Sequence, residues 1–207
     1  MRRIQGILAA MGLLLTTLLG SAQATSIGFR LTLWDNVNTP KIKLQNTSDA
    51  GFDLGEFVLT IGDTAYNFDS VTASSEAKSD VGEASLLSPD RNSTGGARSD
   101  AVRYLFSDFL PGGLFSFAAE LDRDSVNTSE DYRRLFFNNG DAPNAVAAVR
   151  FRNDGWERWL TLTLPDGAGD LSKYEFSATQ PVPLPGSAVL LGSGVVALLA
   201  TRRRPQW

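Results

Sequence analysis

The chain has 207 residues, 43% hydrophobic and 20% charged, with no Cys and no His. Those two absences exclude disulfides, thiolate zinc sites, His-ligated metals and the Ser-His-Asp or Cys-His nucleophile pairs. The length suits one domain plus targeting segments, at roughly 150 residues per domain. The acidic middle argues against a nucleic-acid partner, because a phosphate backbone needs Lys and Arg to neutralise it.

Residues 1–24 read as a signal peptide. Arg2 and Arg3 form the charged start, an apolar run extends from Ile4 to Leu19, and Ala22 and Ala24 supply the small-residue cleavage site. The expected mature N-terminus is Thr25, released by a signal peptidase. No acidic residue occurs before Thr25 or after Val182.

Residues 25–181 read as a mainly β ectodomain. Ile27, Phe29, Leu31 and Leu33 alternate with Ser26, Gly28, Arg30 and Thr32, the period of a half-buried strand. Ile42 and Leu44 repeat that pattern, as do Phe57, Leu59 and Ile61. Gly62-Asp63 makes a turn and Tyr66-Asn67-Phe68 resumes a strand. The stretch 73–100 is rich in Ser, Ala, Gly and Asp and predicts a long polar loop, with one helical turn near Glu83 to Leu87. Phe115, Phe117, Ala119 and Leu121 alternate again. Ser129 to Phe137 is a helix candidate, with Ser129 as its cap and Arg133 and Arg134 in its later turn. Val146 to Phe151 predicts a strand, Asn153-Asp154-Gly155 a turn, and Trp159 to Leu164 a further strand with Leu160, Leu162 and Leu164 on one face. Tyr174 and Phe176 belong to the last strand. Many short strands separated by Gly, Pro, Asn and Asp predict an antiparallel β-sandwich, jelly-roll-like, held by an aromatic core of Phe29, Phe57, Phe68, Phe117 and Phe176.

Residues 182–207 have three parts. Val182-Pro183-Leu184-Pro185 is rigid and extended. An uncharged apolar stretch follows, and Arg202, Arg203 and Arg204 close it. A helix from Leu184 to Thr201 would rise about 27 Å, near the ~30 Å of a bilayer's hydrocarbon core. Arg residues prefer the cytoplasmic side, so the expected precursor sits in the inner membrane with its acidic middle outside.

This order of a Pro motif, a brief apolar helix and an Arg cluster resembles the PEP-CTERM sorting signal. Val182-Pro183-Leu184-Pro185 is similar to its VPLPA variant, with Gly186 in place of Ala. The resemblance implies an exported bacterial envelope or matrix protein, processed by an exosortase and associated with exopolysaccharide, biofilm or floc. The segments Leu44-Gln45-Asn46-Thr47-Ser48, Phe57 to Asp63, Tyr66 to Asp69 and Phe109 to Asp124 also resemble the β-rich ectodomains of such proteins. That likeness implies fold and location and no chemistry.

Three groups of residues are candidates for chemistry. Asp122 and Asp124, followed by Ser125, Asn127, Glu130 and Asp131, offer oxygen ligands at short spacing for Ca²⁺, the single cofactor considered. The alternative is a solvated turn, since an EF-hand's central Gly and closing Glu are missing. Asn138, Asn139 and Asp141 form a second oxygen-rich turn. Trp156-Glu157-Arg158-Trp159 places its two Trp on opposite faces of a strand, one in the core and one outside, with Trp159 the expected exposed one. An exposed Trp near Asn, Asp and Arg suits stacking on a sugar ring; Trp34 is a weaker case. The leading expectation is therefore a non-enzymatic envelope or matrix protein. A lectin-like carbohydrate-binding module, with or without Ca²⁺, is the alternative. A two-carboxylate glycosidase is a third and unspecific reading, because 23 acidic residues will satisfy any spacing.

Overall fold

The computed structural model describes residues 25–88, 99–124, 126–137, 143–167 and 171–182. Among the described residues, ten strands and one short helix follow in chain order: β1 (Ser26–Asp35), β2 (Pro40–Asn46), β3 (Asp53–Thr60), β4 (Tyr66–Ser79), β5 (Ala84–Ser88), β6 (Ala101–Phe109), β7 (Leu114–Arg123), α1 (Tyr132–Phe136), β8 (Val146–Asn153), β9 (Trp156–Thr163) and β10 (Lys173–Pro181). They form two five-stranded sheets, ordered β10-β1-β2-β7-β4 and β5-β6-β3-β8-β9. Every strand pair is antiparallel.

The period-two pattern decides which residues enter the space between the sheets. Ile27, Phe29, Leu31, Leu33, Ile42, Leu44, Phe57, Leu59, Phe115, Phe117, Ala119 and Leu121 are all buried. The two sheets meet through rings. Tyr104 and Phe106 of β6 stand 4.8 and 5.1 Å from Phe115 of β7, and Phe57 of β3 stands 6.1 Å from Phe117. Offset and edge-on ring pairs of this kind contribute about 0.5–1.5 kcal/mol each beyond their buried area. They bind two sheets that share no strand and no disulfide. Strand β3 keeps both Leu54 and Phe57 inward, an odd spacing, because its register shifts between Leu54 and Glu56. Against β8 the extra residue is Gly55, and such a bulge resets which side chains point inward.

One end of the sandwich is closed by α1. Tyr132, Leu135, Phe136 and Phe137 are buried there, with Phe136 6.1 Å from Phe68 of β4 and Phe137 4.7 Å from Tyr174 of β10. The helix thereby links the two edge strands of the first sheet across its end. The Tyr132 N–H donates to the Val37 carbonyl in the β1–β2 loop, and the Gly167 N–H donates to the Phe137 carbonyl. Phe176, expected in the core, is half-buried and lies 5.6 Å from Phe137.

The other end is tied by Asn46, which is fully buried. Its Nδ2 donates to the carbonyls of Phe52 and Phe109, each at 2.9 Å, and its Oδ1 accepts the Ser48 N–H at 3.0 Å. One side chain thus joins the β2–β3 loop to the end of β6. A carbonyl-rich loop end has no ladder partner of its own, and an amide supplies both donors.

Two sequence expectations are corrected. The stretch 73–100 is largely strand as far as it is described: β4 continues to Ser79, and the segment expected to hold a helical turn is β5. Ser and Ala lower the apolar signal of an edge strand, yet the ladder with β7 forms through the backbone. The helix is shorter than Ser129 to Phe137, and its cap is Asp131 rather than Ser129. Asp131 accepts the Arg133 N–H at 3.0 Å and also grips that residue's guanidinium, a double hold that a Ser hydroxyl lacks.

Candidate functional site

The turn Asn153-Asp154-Gly155-Trp156 joins β8 to β9 with φ of 36° at Asp154 and 82° at Gly155. Both central residues are left-handed, the hairpin geometry that Asp-Gly favours. This turn lifts Trp156 to one end of the second sheet, where its ring meets Phe52 edge-on at 5.4 Å. Trp156 lines an open cleft of about 380 Å³ with Asp53, Ser107, Asp108, Arg152, Asn153, Asp154, Gly155 and Glu157. Arg152 also hydrogen-bonds the Ser107 carbonyl, which holds the end of β6 against β8. The cleft therefore offers one aromatic face, carboxylate acceptors and a guanidinium donor, a set suited to a polyhydroxylated ring.

Trp156 and Trp159 do point to opposite faces, and Trp159 is the exposed one at 45%. The other part of that expectation is corrected: Trp156 is half-buried at the cleft rather than part of the core. Strand β9 is an edge strand, so its inward-facing side chains are covered on one flank only. The two Trp consequently do not share a site. Trp159 sits beside a row of charges on the outer face of the second sheet, directly opposite Arg150 in the ladder.

That row was missed from the sequence. Arg103 Nε donates to Glu56 Oε1 at 2.5 Å, Arg150 lies 3.2 Å from Glu56 Oε2, and Arg150 Nη1 donates to Glu157 Oε1 at 2.9 Å. The four residues stand on the neighbouring strands β6, β3, β8 and β9 in that order. Glu56 is 3% exposed, and a buried carboxylate is tolerated when two guanidiniums accompany it. Its one sequence signal was a lone Glu inside the apolar strand Leu54 to Ile61.

Asp122 and Asp124, expected as joint calcium ligands, are separated in role. Asp122 is fully buried and its Oδ1 accepts the Thr128 N–H at 3.0 Å. Asp124 Oδ1 instead accepts from Asn67 Nδ2 at 3.1 Å. Burial pushes the Asp122 carboxyl above the usual carboxylate range and the neighbouring Asp69 adds to it, against the pull of the Thr128 N–H. Among the described residues no group of three or more Asp, Glu, His or Cys side chains is placed to hold a metal ion. Lys43 Nζ lies 5.7 Å from the ring centre of Trp34, over one of its two faces.

The targeting residues Ala22, Ala24, Pro183, Leu184, Pro185, Arg202, Arg203 and Arg204 lie outside the described residues, as do Asn138, Asn139 and Asp141. Val182 alone of the sorting motif is described. Among the described residues no helix is long and apolar enough to cross a membrane. Comparison with protein-family models, with curated proteins and with solved structures found no match to this chain.

Proposed function

We propose that this chain is an exported cell-envelope or extracellular-matrix protein, cut by a signal peptidase after Ala24 and sorted by an exosortase that reads Val182 to Pro185. Its ectodomain serves in an exopolysaccharide or biofilm matrix without catalysing a reaction. One observation carries the reading: a Pro motif, an 18-residue uncharged helix candidate and three successive Arg follow one another at the C-terminal end of an acidic β-rich chain. The winding fits a jelly-roll-like sandwich, since β2–β7 and β3–β6 are nested pairs of one long hairpin lying in opposite sheets. Intact-mass measurement of the surface-borne protein tests the proposal. The expected species starts at Thr25 and has lost Arg202 to Arg204. A surface form that retains Met1 or all three Arg refutes it.

The Trp156 cleft favours a second reading, in which the ectodomain also binds the matrix polysaccharide. Trp156→Ala then abolishes retention on a column of polysaccharide from the producing organism, while Trp159→Ala leaves it intact. Retention unaffected by Trp156→Ala removes this reading and leaves the first untouched.

A further inference from the structure

The outward face of the first sheet is basic, although the chain carries a net charge of -4. Ile27, Phe29, Leu31 and Leu33 of β1 are buried between the sheets, so by alternation Arg30, Thr32 and Trp34 point outward. Lys41, Lys43 and Gln45 alternate in the same way with buried Ile42 and Leu44 on β2. Directly opposed residues share a face, so the register fixes the layout. One row runs Lys173, Trp34, Lys41 across β10, β1 and β2, and the next runs Glu175, Thr32, Lys43, Ser116 as far as β7. Arg30 stands in the third row, opposite Gln45. Three of the chain's four lysines thus share one face with Arg30. Lys41 and Lys43 are about 7 Å apart along their strand, and Arg30 is the diagonal neighbour of Lys43 at about 7–8 Å.

Two of these cations have carboxylate partners. Lys41 Nζ lies 3.0 Å from Asp35 and Lys173 Nζ 2.7 Å from Glu175, both partly exposed pairs of the kind that adds little and exchanges readily. Among the described residues Arg30 and Lys43 form no salt bridge, and Lys43 Nζ stands over Trp34 instead. The Glu175 carboxyl is held below the usual range first by its hydrogen bond to Lys173, with the charges of Lys173, Arg30 and Lys43 adding to it. Two hydroxyls on the same face are idle. Thr32 and Ser116 point outward, yet they are 1% and 0% exposed and neither hydroxyl has a hydrogen-bond partner. They are the two cross-strand partners of Lys43, one on each side of it. An outward residue so well covered lies under its longer neighbours, and Lys43 is the long side chain common to both.

We infer that this face binds an acidic polysaccharide of the uronic-acid type, laid across β1 and β2. Arg30 and Lys43 pair with its carboxylates and Trp34 lies against a sugar ring. A flat sheet face with cations spread over three rows suits an extended chain better than a small anion. The half-buried Trp ring offers a face to sugar C–H groups, and Gln45 offers an amide to sugar hydroxyls. When the Lys43 ammonium swings out to a carboxylate its stem uncovers Thr32 and Ser116, whose hydroxyls then bond the same sugar chain. A nucleic acid fits less well: its duplex carries one charge per about 1.7 Å, and a protein acidic overall repels so dense an anion. The inference goes beyond both readings above. The Trp156 cleft is lined by Asp53, Asp108, Asp154 and Glu157, which repel a uronate chain, and it lies on the other sheet.

The test uses biotinylated polygalacturonate on a sensor surface, with neutral dextran as a second surface, and the full chain held in mild detergent. Saturable binding to polygalacturonate and none to dextran is expected, about tenfold weaker at about 200 mM than at about 50 mM NaCl. Arg30→Gln and Lys43→Gln should each weaken binding about threefold, and together about tenfold. Arg30→Lys and Lys43→Arg keep the charge and should bind as the parent does, which separates lost charge from lost folding. Arg134→Gln removes an equal charge from exposed α1 and should change nothing. No binding by the parent, equal binding to dextran, or binding unaffected in the double Gln variant overturns the inference. So does an equal loss in Arg134→Gln, or oligothymidylate held more tightly than polygalacturonate, which would assign the face to nucleic acid.

Discussion

Replacing Asn46 by Ala should be among the most damaging single changes away from the aromatic core. The substitution removes three hydrogen bonds and leaves the carbonyls of Phe52 and Phe109 and the N–H of Ser48 without that partner, at a site with no solvent exposure. A buried polar group left unsatisfied costs about 1–3 kcal/mol. Partial relaxation of the loops makes the three less than additive, so the expected loss is about 3–5 kcal/mol. That is a large share of the 5–15 kcal/mol typical of a domain. With a urea dependence of about 2 kcal/mol per molar, the unfolding midpoint should fall by roughly 2 M. Asn46→Asp is the sharper companion. It keeps the acceptor for Ser48 but turns an oxygen toward two carbonyls, so it should match the Ala variant at neutral pH. It should recover in part as the pH falls, because the protonated carboxyl regains one donor for one of the two carbonyls. A midpoint lowered by less than about 0.5 M in the Ala variant, or an Asp variant equal to the parent at pH 7, would refute the role given to this amide.

Phe117→Ala should cost about 3–5 kcal/mol, measured by the same urea series, because the ring is fully buried between the sheets. Trp159→Ala should stay within about 0.5 kcal/mol of the parent, since the side chain is largely outside; a larger loss would mean the ring supports the neighbouring ion-pair row. The Tyr132 hydroxyl is pushed up to about 12 by burial. A raised acid binds its proton more tightly folded than unfolded, so its contribution to stability is complete below pH 10 and is lost between 10 and 12. Absorbance titration of the phenolates should show a late step near pH 12 that Tyr132→Phe removes; a titration curve unchanged by that substitution would contradict it. Gly62→Ala should destabilise by more than 1 kcal/mol, because φ is +93° and an added Cβ would press on the Pro143 and Asn144 carbonyls.

Strand after strand of this fold was legible because one-sided burial writes a period of two into the chain, and Ile27 to Leu33 or Phe115 to Leu121 carry that period without interruption. The turn at Asp154-Gly155 was legible for a backbone reason, since left-handed φ selects those residues. What failed to show were features whose cause lies elsewhere in the chain. The strand through Ser74 to Ser79 is set by the ladder that β7 offers, not by its own composition. Asp131 displaced Ser129 as the cap through a contact with Arg133 that periodicity does not encode. At the candidate sites the sequence marked Trp156, Trp159 and Asp122 and even their alternation. It could not pair Trp156 with Asp53 and Asp108, or Asp122 with Asn67, because those meetings depend on which strands become neighbours. Glu56 was visible as an oddity, but its two Arg partners come from strands far along the chain.

The pairing of Ser26 with Pro181 at the end of the β1–β10 ladder has a mechanical consequence. The first and last residues of the sandwich lie side by side, about one strand spacing or 5 Å apart. Tension applied between them acts across the ladder, not along it, and opens hydrogen bonds one after another like a zipper. A pull on Pro181 alone, countered by drag spread over the rest of the domain, also starts at that edge strand. The sandwich is thus built to yield first by peeling β10, with the α1 contacts of Tyr174 and Phe176 meeting the load last because they lie at the far end of that strand.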